Sequence, residues 1–364
     1  MSLPATTKHW VVSKIGSLDN LALKESPIRQ PKPTEVLVRV HAVSLNYRDL
    51  ILAKGLYGQG IIQENLIPCS DYSGEIIAVG EDVPQDKWKP GDRVCSNFSP
   101  NHLDGDPSPE TMRAALGGPV HGVLSQYVVS PAEALVRVPD HLTHEEASTL
   151  PCAALTAYSA LLGPIPVKAG DYVLVQGTGG VSMYAAHALL SSSYPDVIAV
   201  RFGLQIAVAS GATVIATSSS DEKLKLAAKL GAKHLINYKT TPNWQDTVKE
   251  LTDGRGVDHV IEVGGPGTLL KSLQSIKHAG WIHAIGFLAQ GADASLVGPI
   301  IGTAAYVRGV LIGSVAQFKN MNRLISAHGL RPVVDKVFPF DQALEAYRYL
   351  ESQAHFGKVV IKVT

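Results

Sequence analysis

The sequence of 364 residues has no net charge and few cysteines. Lysine plus arginine number 32, as do aspartate plus glutamate, so the formal charge is +0. A balanced charge gives no electrostatic attraction toward nucleic acid or an anionic membrane, and we expect neither as a partner. The three cysteines are too few and too scattered for a disulfide framework, and no Cys-x-x-Cys is present for zinc or redox exchange.

Long apolar runs are also missing. The first ten residues lack the apolar stretch of a secretory signal, and the uncharged window between Asp171 and Asp196 is interrupted by glycines and serines. We therefore expect a cytoplasmic protein without a membrane span. Hydrophobic residues still make up 45% of the chain, enough to bury a core in each of the two domains that this length suggests.

The N-terminal third is rich in strand signals. Val36–Ser44 mixes alternation with β-branched residues, Glu75–Gly80 ends in glycine, and a Pro-Gly turn at 90–91 leads into another strand. Short strands separated by glycine and proline predict a mostly antiparallel, barrel-like unit. The polar stretch Ser99–Gly118 is rich in proline and glycine, which predicts a loop or lid.

Near residue 143 the pattern changes to alternating helices and strands. Thr143 and Glu146 fit a capping box, and Pro151 marks a boundary between two helices. The alternation beyond residue 171 predicts right-handed crossovers and a parallel sheet. The predicted strands are Tyr172–Gln176, Thr213–Thr217, Val257–Val263 and Trp281–Gly286, and the predicted helices are Phe202–Gly211, Asp221–Leu230, Trp244–Thr252 and Thr268–His278.

From about residue 301 the sequence returns to strand-like runs. It contains one predicted helix, Asp341–Gln353, and a closing strand, Lys358–Val363. We therefore predict a discontinuous β-rich domain of residues 1–154 and 301–364, and an α/β domain of residues 155–300.

A glycine-rich turn follows the first strand of the α/β domain. Its residues are Gly177, Thr178, Gly179, Gly180, Val181 and Ser182. Glycines allow a sharp turn and let a pyrophosphate approach the amides at a helix start. Ser182 replaces the third glycine of the usual fingerprint. Because strand–helix units follow the turn, we predict that it binds a dinucleotide.

The spacing after this turn is longer than usual. The second strand of such a unit ends about 20 residues after the turn, whereas Ser218 lies 41 positions after Gly177. We predict an insertion at residues 184–201, within the first crossover helix. A genuine insertion and an erroneous gene model both fit this spacing.

Small hydroxyl side chains stand where NAD-binding chains usually carry a carboxylate. Ser218 and Ser219 end the second predicted strand, and Lys223 follows in the next helix. These groups suit a ribose 2′-phosphate, which a carboxylate would repel. The same residues also fit a helix N-cap at Ser220 with a solvated lysine. We predict NADP in preference to NAD.

Five motifs together resemble the medium-chain dehydrogenase/reductase superfamily, over nearly the whole chain. They are Ser44–Leu50, Gly91–Val94, Leu150–Tyr158, the turn at 177–182 and Phe356–Lys358. The resemblance implies an α/β protein with a GroES-like β-rich catalytic domain and a Rossmann domain with a doubly wound parallel sheet.

The zinc-ligand positions of this superfamily separate its branches. Where zinc alcohol dehydrogenases carry two cysteines and a histidine, this sequence matches Asn46, Ser70 and Cys152. One thiolate is not enough, because a zinc site needs at least three protein ligands. The pattern resembles the zinc-independent, quinone-oxidoreductase-like branch, and we expect no zinc. His141 and His144 lie at a helix start without a nearby cysteine, and we expect them to be exposed to solvent.

The resemblance also implies roles for individual residues. Asn46 would contact substrate or nicotinamide and Asp49 would help to fix its loop. Tyr47 would either donate a proton or only line the pocket. The cofactor-binding positions carried over are Thr156, Gly286, Phe287, Gly357 and Lys358.

Without a metal to polarise an alcohol, hydride transfer to a conjugated acceptor is easier, because the acceptor's carbonyl disperses the developing charge. We predict an NADPH-dependent, zinc-independent oxidoreductase that acts on a quinone, an enone or a related conjugated carbonyl. The alternatives are an alcohol dehydrogenase or carbonyl reductase on the same scaffold and a catalytically silent NADPH-binding protein. Family members commonly form homodimers, and Tyr306–Gly313 is a candidate intersubunit strand.

Overall fold

A computed structural model describes residues 5–56, 64–177, 199–286 and 296–364. They divide into two units, each with strands and helices, and the predicted α/β class is confirmed. The first unit holds described residues from 1–155 and 313–364, and the second holds those from 156–312. Among the described residues, no helix is both long and apolar enough to cross a membrane.

The strands are numbered in chain order. They are β1 (Thr6–Val12), β2 (Leu21–Pro27), β3 (Glu35–Ser44), β4 (Asp71–Val79), β5 (Arg93–Ser96), β6 (Tyr127–Pro131), β7 (Leu135–Arg137), β8 (Tyr172–Gln176), β9 (Thr213–Ser218), β10 (His234–Asn237), β11 (Val257–Glu262), β12 (Ile276–Ala284), β13 (Tyr306–Gly309), β14 (Val334–Pro339) and β15 (Lys358–Lys362).

The α-helices are numbered in the same way. They are α1 (Tyr47–Ala53), α2 (Pro109–Arg113), α3 (His144–Ala147), α4 (Leu155–Leu162), α5 (Ala199–Ala209), α6 (Asp221–Lys229), α7 (Trp244–Glu250), α8 (Leu269–Ser275), α9 (Val297–Thr303), α10 (Val315–His328) and α11 (Ala343–Glu351). A π-helical turn at Leu150–Ala154 holds Pro151, near the predicted helix boundary.

The first unit is built on a largely antiparallel sheet, as predicted. The strand order is β14-β15-β3-β4-β5-β7, and β6 also pairs with β3, while β1 and β2 form a separate antiparallel pair. The alternating valines Val36, Val38 and Val40 of β3 are fully buried in the core of this unit. Burial of these β-branched side chains fixes the register of β3, because a slip of one residue would expose them.

The second unit contains a parallel sheet of six strands, which confirms the prediction from the alternating pattern. Its order is β10-β9-β8-β11-β12-β13. Leu174, Ile215 and Val260 from three neighbouring strands are fully buried in its core. The order reverses between β8 and β11, and sheets of this kind bind ligands beyond the carboxyl ends of the strands at such a point.

Two features of the sequence-based assignment were wrong. The predicted helix Thr268–His278 ends at Ser275, and Ile276 already begins β12 by pairing with Val257. The last block also contains the 14-residue helix α10, which was not predicted. Its signals are present: Ser314 and Gln317 form a capping box, and the α10 residues Val315, Phe318, Met321, Asn322 and Ile325 are buried. β13 lies beyond the expected boundary at residue 300 but pairs with β12 in the parallel sheet.

Candidate active site

Asn46 and Asp49 lie at the start of α1, a helix that was not predicted. β3 ends at Ser44, and Asn46 is the extended residue that precedes the helix. The Asp49 carboxylate accepts the backbone N–H of Asn46 at 2.8 Å, so that it fixes the turn from strand to helix. Asn46 and Asp49 are 0% and 1% exposed, which places both polar side chains in a water-poor environment.

Lys358 reaches the same place from the other end of the chain. β15 runs antiparallel to β3 with Val360 opposite Ser44, and the Leu45 N–H donates to the Val359 carbonyl at 2.9 Å. This register brings the Lys358 ammonium group against Asn46, where Nζ donates to Oδ1. The lysine is 0% exposed. The structure therefore brings together Asn46 and Asp49 with a residue that we had expected in the cofactor site.

Burial outweighs the nearby positive charges in the electrostatics of Asp49. Burial raises the pKa of Asp49 from 3.8 to about 7, while the positive charges of Arg48 and Lys358 act in the opposite direction. Asp71 adds a further negative charge that raises this pKa. Burial therefore favours the protonated form of Asp49 more strongly than water does.

The residues matched to zinc-ligand positions do not fit a zinc ion. Ser70 Oγ donates to Asp71 Oδ1 at 2.6 Å, and the Cys152 N–H donates to Asp71 Oδ2 at 3.1 Å. Asn46 faces an ammonium group, whose charge opposes a cation at that position. In the described part of the chain, no group of three or more His, Cys, Asp or Glu side chains could hold a metal ion.

Tyr47 and Gly357 have local structural roles in the first unit. Tyr47 is half-buried and packs against the apolar core. A Cβ at Gly357 would lie 2.4 Å from the Val333 carbonyl oxygen, so the close approach of these two segments requires glycine.

Further predicted residues lie at the strand ends of the second unit. Gly177 follows β8 with φ +81°, and its N–H donates to the Thr217 carbonyl at 2.9 Å. Ser218 at the end of β9 is buried, whereas Ser219 and Lys223 are half-buried. These side chains lie at the same edge of the parallel sheet as Gly177.

Ser220 is the N-cap of α6, as the simpler interpretation predicted, because its Oγ accepts the Lys223 N–H at 3.4 Å. The remaining predicted cofactor residues are spread over two elements. Gly286 follows β12, and Thr156 is buried in α4.

Part of the predicted cofactor site lies outside the described residues. This applies to Thr178, Gly179, Gly180, Val181, Ser182 and Phe287. Residues 184–198 of the predicted insertion lie outside as well, and 199–201 begin α5.

Sequence reasoning missed Glu262, which organises the end of β11. Its side chain is 0% exposed and accepts hydrogen bonds from five neighbours. The donors are Gln176 Nε2 at 2.9 Å, the Gly264 N–H at 2.7 Å, the Gly265 N–H at 3.0 Å, Thr268 Oγ1 at 2.5 Å and Ser272 Oγ. Gln176 immediately precedes Gly177, so this carboxylate links β11 to the residue before the glycine-rich turn. The available signal was a strand-ending glutamate with glycines two and three residues later.

The expected exposure of His141 and His144 was wrong. His144 stacks on His41 with ring centroids 4.3 Å apart, and its Nδ1 lies 2.8 Å from Ser73 Oγ. Burial lowers the pKa of His144 to about 4, and the charges of His41 and Arg93 act in the same direction. His141 is partly buried, with Nε2 2.9 Å from the Leu330 carbonyl. Long-range packing against β3 and β4 covers α3, which the local sequence could not reveal.

Two known protein families match parts of the chain. Residues 32–140 match the alcohol dehydrogenase GroES-like domain, and residues 201–327 match the zinc-binding dehydrogenase family. These matches confirm the two predicted fold types.

Individual relatives agree with the family matches. A zinc-type alcohol dehydrogenase-like protein of Schizosaccharomyces pombe is 46% identical and covers 98% of this chain and 99% of its own. The chloroplastic NADPH-dependent alkenal/one oxidoreductase of Arabidopsis thaliana is 28% identical to this chain. The alignment covers 99% of this chain and 80% of the Arabidopsis protein. The protein in a crystal structure from Sinorhizobium meliloti 1021 is 38% identical in sequence to this chain. The two chains align over their full lengths with a TM-score of 0.86.

The chain belongs to the medium-chain dehydrogenase/reductase superfamily. It is an NAD(P)H-dependent oxidoreductase of that type.

Proposed function

We propose that this protein is an NADPH-dependent, zinc-independent reductase of a conjugated carbonyl compound, such as an enone or a quinone. The observation that carries the proposal is the pairing of Asn46, which the sequence matches to a zinc-ligand position, with the buried Lys358 ammonium group. Neutral side chains and a fixed positive charge suit an acceptor whose own conjugation disperses negative charge.

Asn46 would bind the acceptor. Its Nδ2 is buried and lacks a hydrogen-bond partner among the described residues, so it can donate to a carbonyl oxygen. Such a bond strengthens as the oxygen becomes enolate-like, and it is stronger in a water-poor site than in water. Tyr47 or water would provide the proton. Bound NADPH would supply the hydride.

The choice of NADP over NAD rests on the end of β9. Ser218 and Ser219 stand there, and Asp221, the nearest following acid, binds Asn237 Nδ2 at 2.7 Å. A ribose 2′-phosphate would therefore meet hydroxyl groups and Lys223 rather than a carboxylate aimed at it. The NADPH dependence in the name of the Arabidopsis relative supports the same choice.

The test follows deuterium from NADPH labelled at C4 into a simple enone and into 9,10-phenanthrenequinone. We expect NADPH oxidation with both acceptors, slower oxidation of NADH, and deuterium at the β-carbon of the enone product by NMR. Deuterium at the carbonyl carbon would instead establish a carbonyl reductase. No oxidation with any acceptor would contradict the proposal.

We also propose a homodimer formed through β13. This strand is at the edge of the parallel sheet, and Tyr306 and Val307 are 53% and 39% exposed. An edge strand that exposes apolar side chains favours pairing with a second strand. Light scattering during size-exclusion chromatography would test it, and a monomer at micromolar concentration would contradict it.

A further inference from the structure

The contact with Lys358 determines which way the Asn46 amide faces. An ammonium group has three donors and no acceptor, so the Asn46 atom against it must be the carbonyl oxygen. Nζ donates to Oδ1 accordingly. The NH₂ group of Asn46 is therefore turned away from Lys358, and a 180° rotation of the amide would place donors against donors.

The NH₂ group that results is buried without a partner. Asn46 is 0% exposed, and Nδ2 makes no hydrogen bond to the described residues. An unsatisfied buried donor destabilises the fold, so folds rarely keep one without a use. A ligand atom that only accepts hydrogen bonds would satisfy it, and a carbonyl oxygen is such an atom.

The Lys358 ammonium group makes no other side-chain hydrogen bond to the residues that the structure describes. Burying an ammonium group is costly unless it is well paired. The pairing of β15 with β3 nevertheless holds Lys358 at this point, 312 positions from Asn46 in sequence. A solely structural role would be served as well by an apolar side chain of similar length.

We propose that Lys358 is a positioning residue for the reduction, which holds the Asn46 amide so that its NH₂ group donates to the carbonyl oxygen of the acceptor. The positive charge beside Oδ1 polarises the amide and makes the NH₂ group a stronger donor. This inference rests on the proposed function and adds the residue that orients the donor.

A double-mutant cycle tests the coupling. Asn46→Ala removes the donor, and we expect kcat/KM for an enone to fall on the order of 100-fold. Lys358→Met keeps the length but frees the amide, and we expect a fall of about 10- to 100-fold, mainly in kcat. The double variant should be no slower than Asn46→Ala, because the proposal has Lys358 assist the reduction by orienting Asn46. Additive losses, or an unchanged kcat in Lys358→Met, would overturn the proposal.

Lys362→Met is the matched control. It lies on the same strand, its side chain is 58% exposed and its Nζ is 3.4 Å from Glu145, so we expect unchanged kinetics. The thermal midpoint and the NADPH dissociation constant of each variant, the latter from fluorescence, separate misfolding and cofactor loss from misplacement of the donor.

A second readout does not depend on turnover. In protein labelled with ¹⁵N-asparagine, the side-chain NH₂ resonance that disappears in Asn46→Ala belongs to Asn46. We expect it to be a single sharp pair in the wild type, and to shift and broaden in Lys358→Met. An unchanged resonance in Lys358→Met overturns the positioning role. Absence of turnover in a wild type with the expected resonances contradicts the proposed reductase only.

Discussion

At the residue scale, buried ionisable side chains give the molecule a specific response to acid. His283 is 1% exposed and lies parallel to His259, with His259 Nδ1 3.1 Å from His283 Nε2. Burial lowers the pKa of His283 to about 3, and the charges of His259 and Arg308 act in the same direction. Burial also lowers the pKa of His259. Both rings are therefore neutral in the folded protein at neutral pH.

We expect the second unit to lose stability as the pH falls below 6.5. In that range the unfolded chain binds a proton at His283 that the folded chain excludes until about pH 3, so the contribution is complete above 6.5 and declines below it. Each such histidine contributes at most about 1.4 kcal/mol per pH unit. Urea unfolding at several pH values should show a shallower decline for His283→Gln than for wild type.

His328→Gln provides the control for this prediction, because His328 is exposed at the end of α10. Its unfolding free energy should follow the wild-type pH dependence. An equal decline in His283→Gln and wild type would contradict the assignment of the acid response to the buried ring.

Local motifs predicted individual residues well where the reason was local. The Thr143–Glu146 capping box is of this kind, and the structure contains it. The contact of Lys358 with Asn46 depends instead on strand pairing between distant segments. The same limit explains the wrong expectation for His144, whose neighbours come from β3 and β4.

At the element scale, the ends of β8 and β11 are held together by one carboxylate. Glu262 accepts N–H groups from Gly264 and Gly265, and an amide N–H from Gln176 at the end of β8. Thr268 and Ser272 connect the same carboxylate to α8 and the residue before it. This network fixes the strand ends where the sheet order reverses.

We expect Glu262→Gln to loosen this arrangement, because the new NH₂ group would face donors in place of one oxygen. One mismatched buried group costs about 1–3 kcal/mol. The thermal midpoint should fall, and the NADPH dissociation constant from fluorescence should rise several-fold. Glu250→Gln at the exposed end of α7 should change neither. Wild-type affinity in Glu262→Gln would show that the network does not support the cofactor site.

Periodicity predicted most elements, but their boundaries followed from pairing. The predicted strand Thr213–Thr217 and helix Asp221–Leu230 differ from β9 and α6 by one residue each. The boundary between α8 and β12 moved because the start of β12 pairs with Val257. The helix α10 was not predicted because the apolar residues of this block were interpreted as strands, although a capping box marks the start of the helix.

At the scale of the whole molecule, the two-part fold could be predicted because each part has its own periodicity. The family matches support both parts, and the chain is an oxidoreductase of this superfamily. The acceptor could not be derived in the same way, because side chains from loops of distant sequence decide what a site binds. The match of Asn46 and Ser70 to zinc-ligand positions was inferred from the family resemblance, whereas the cation beside Asn46 could not be predicted from sequence.

The most direct test of this account measures enone reduction before and after treatment with a chelator, with zinc content determined by mass spectrometry on the same samples. The account predicts unchanged kcat and kcat/KM in protein containing far less than one zinc per chain. Activity that is lost on chelation and restored by stoichiometric Zn²⁺ would contradict it.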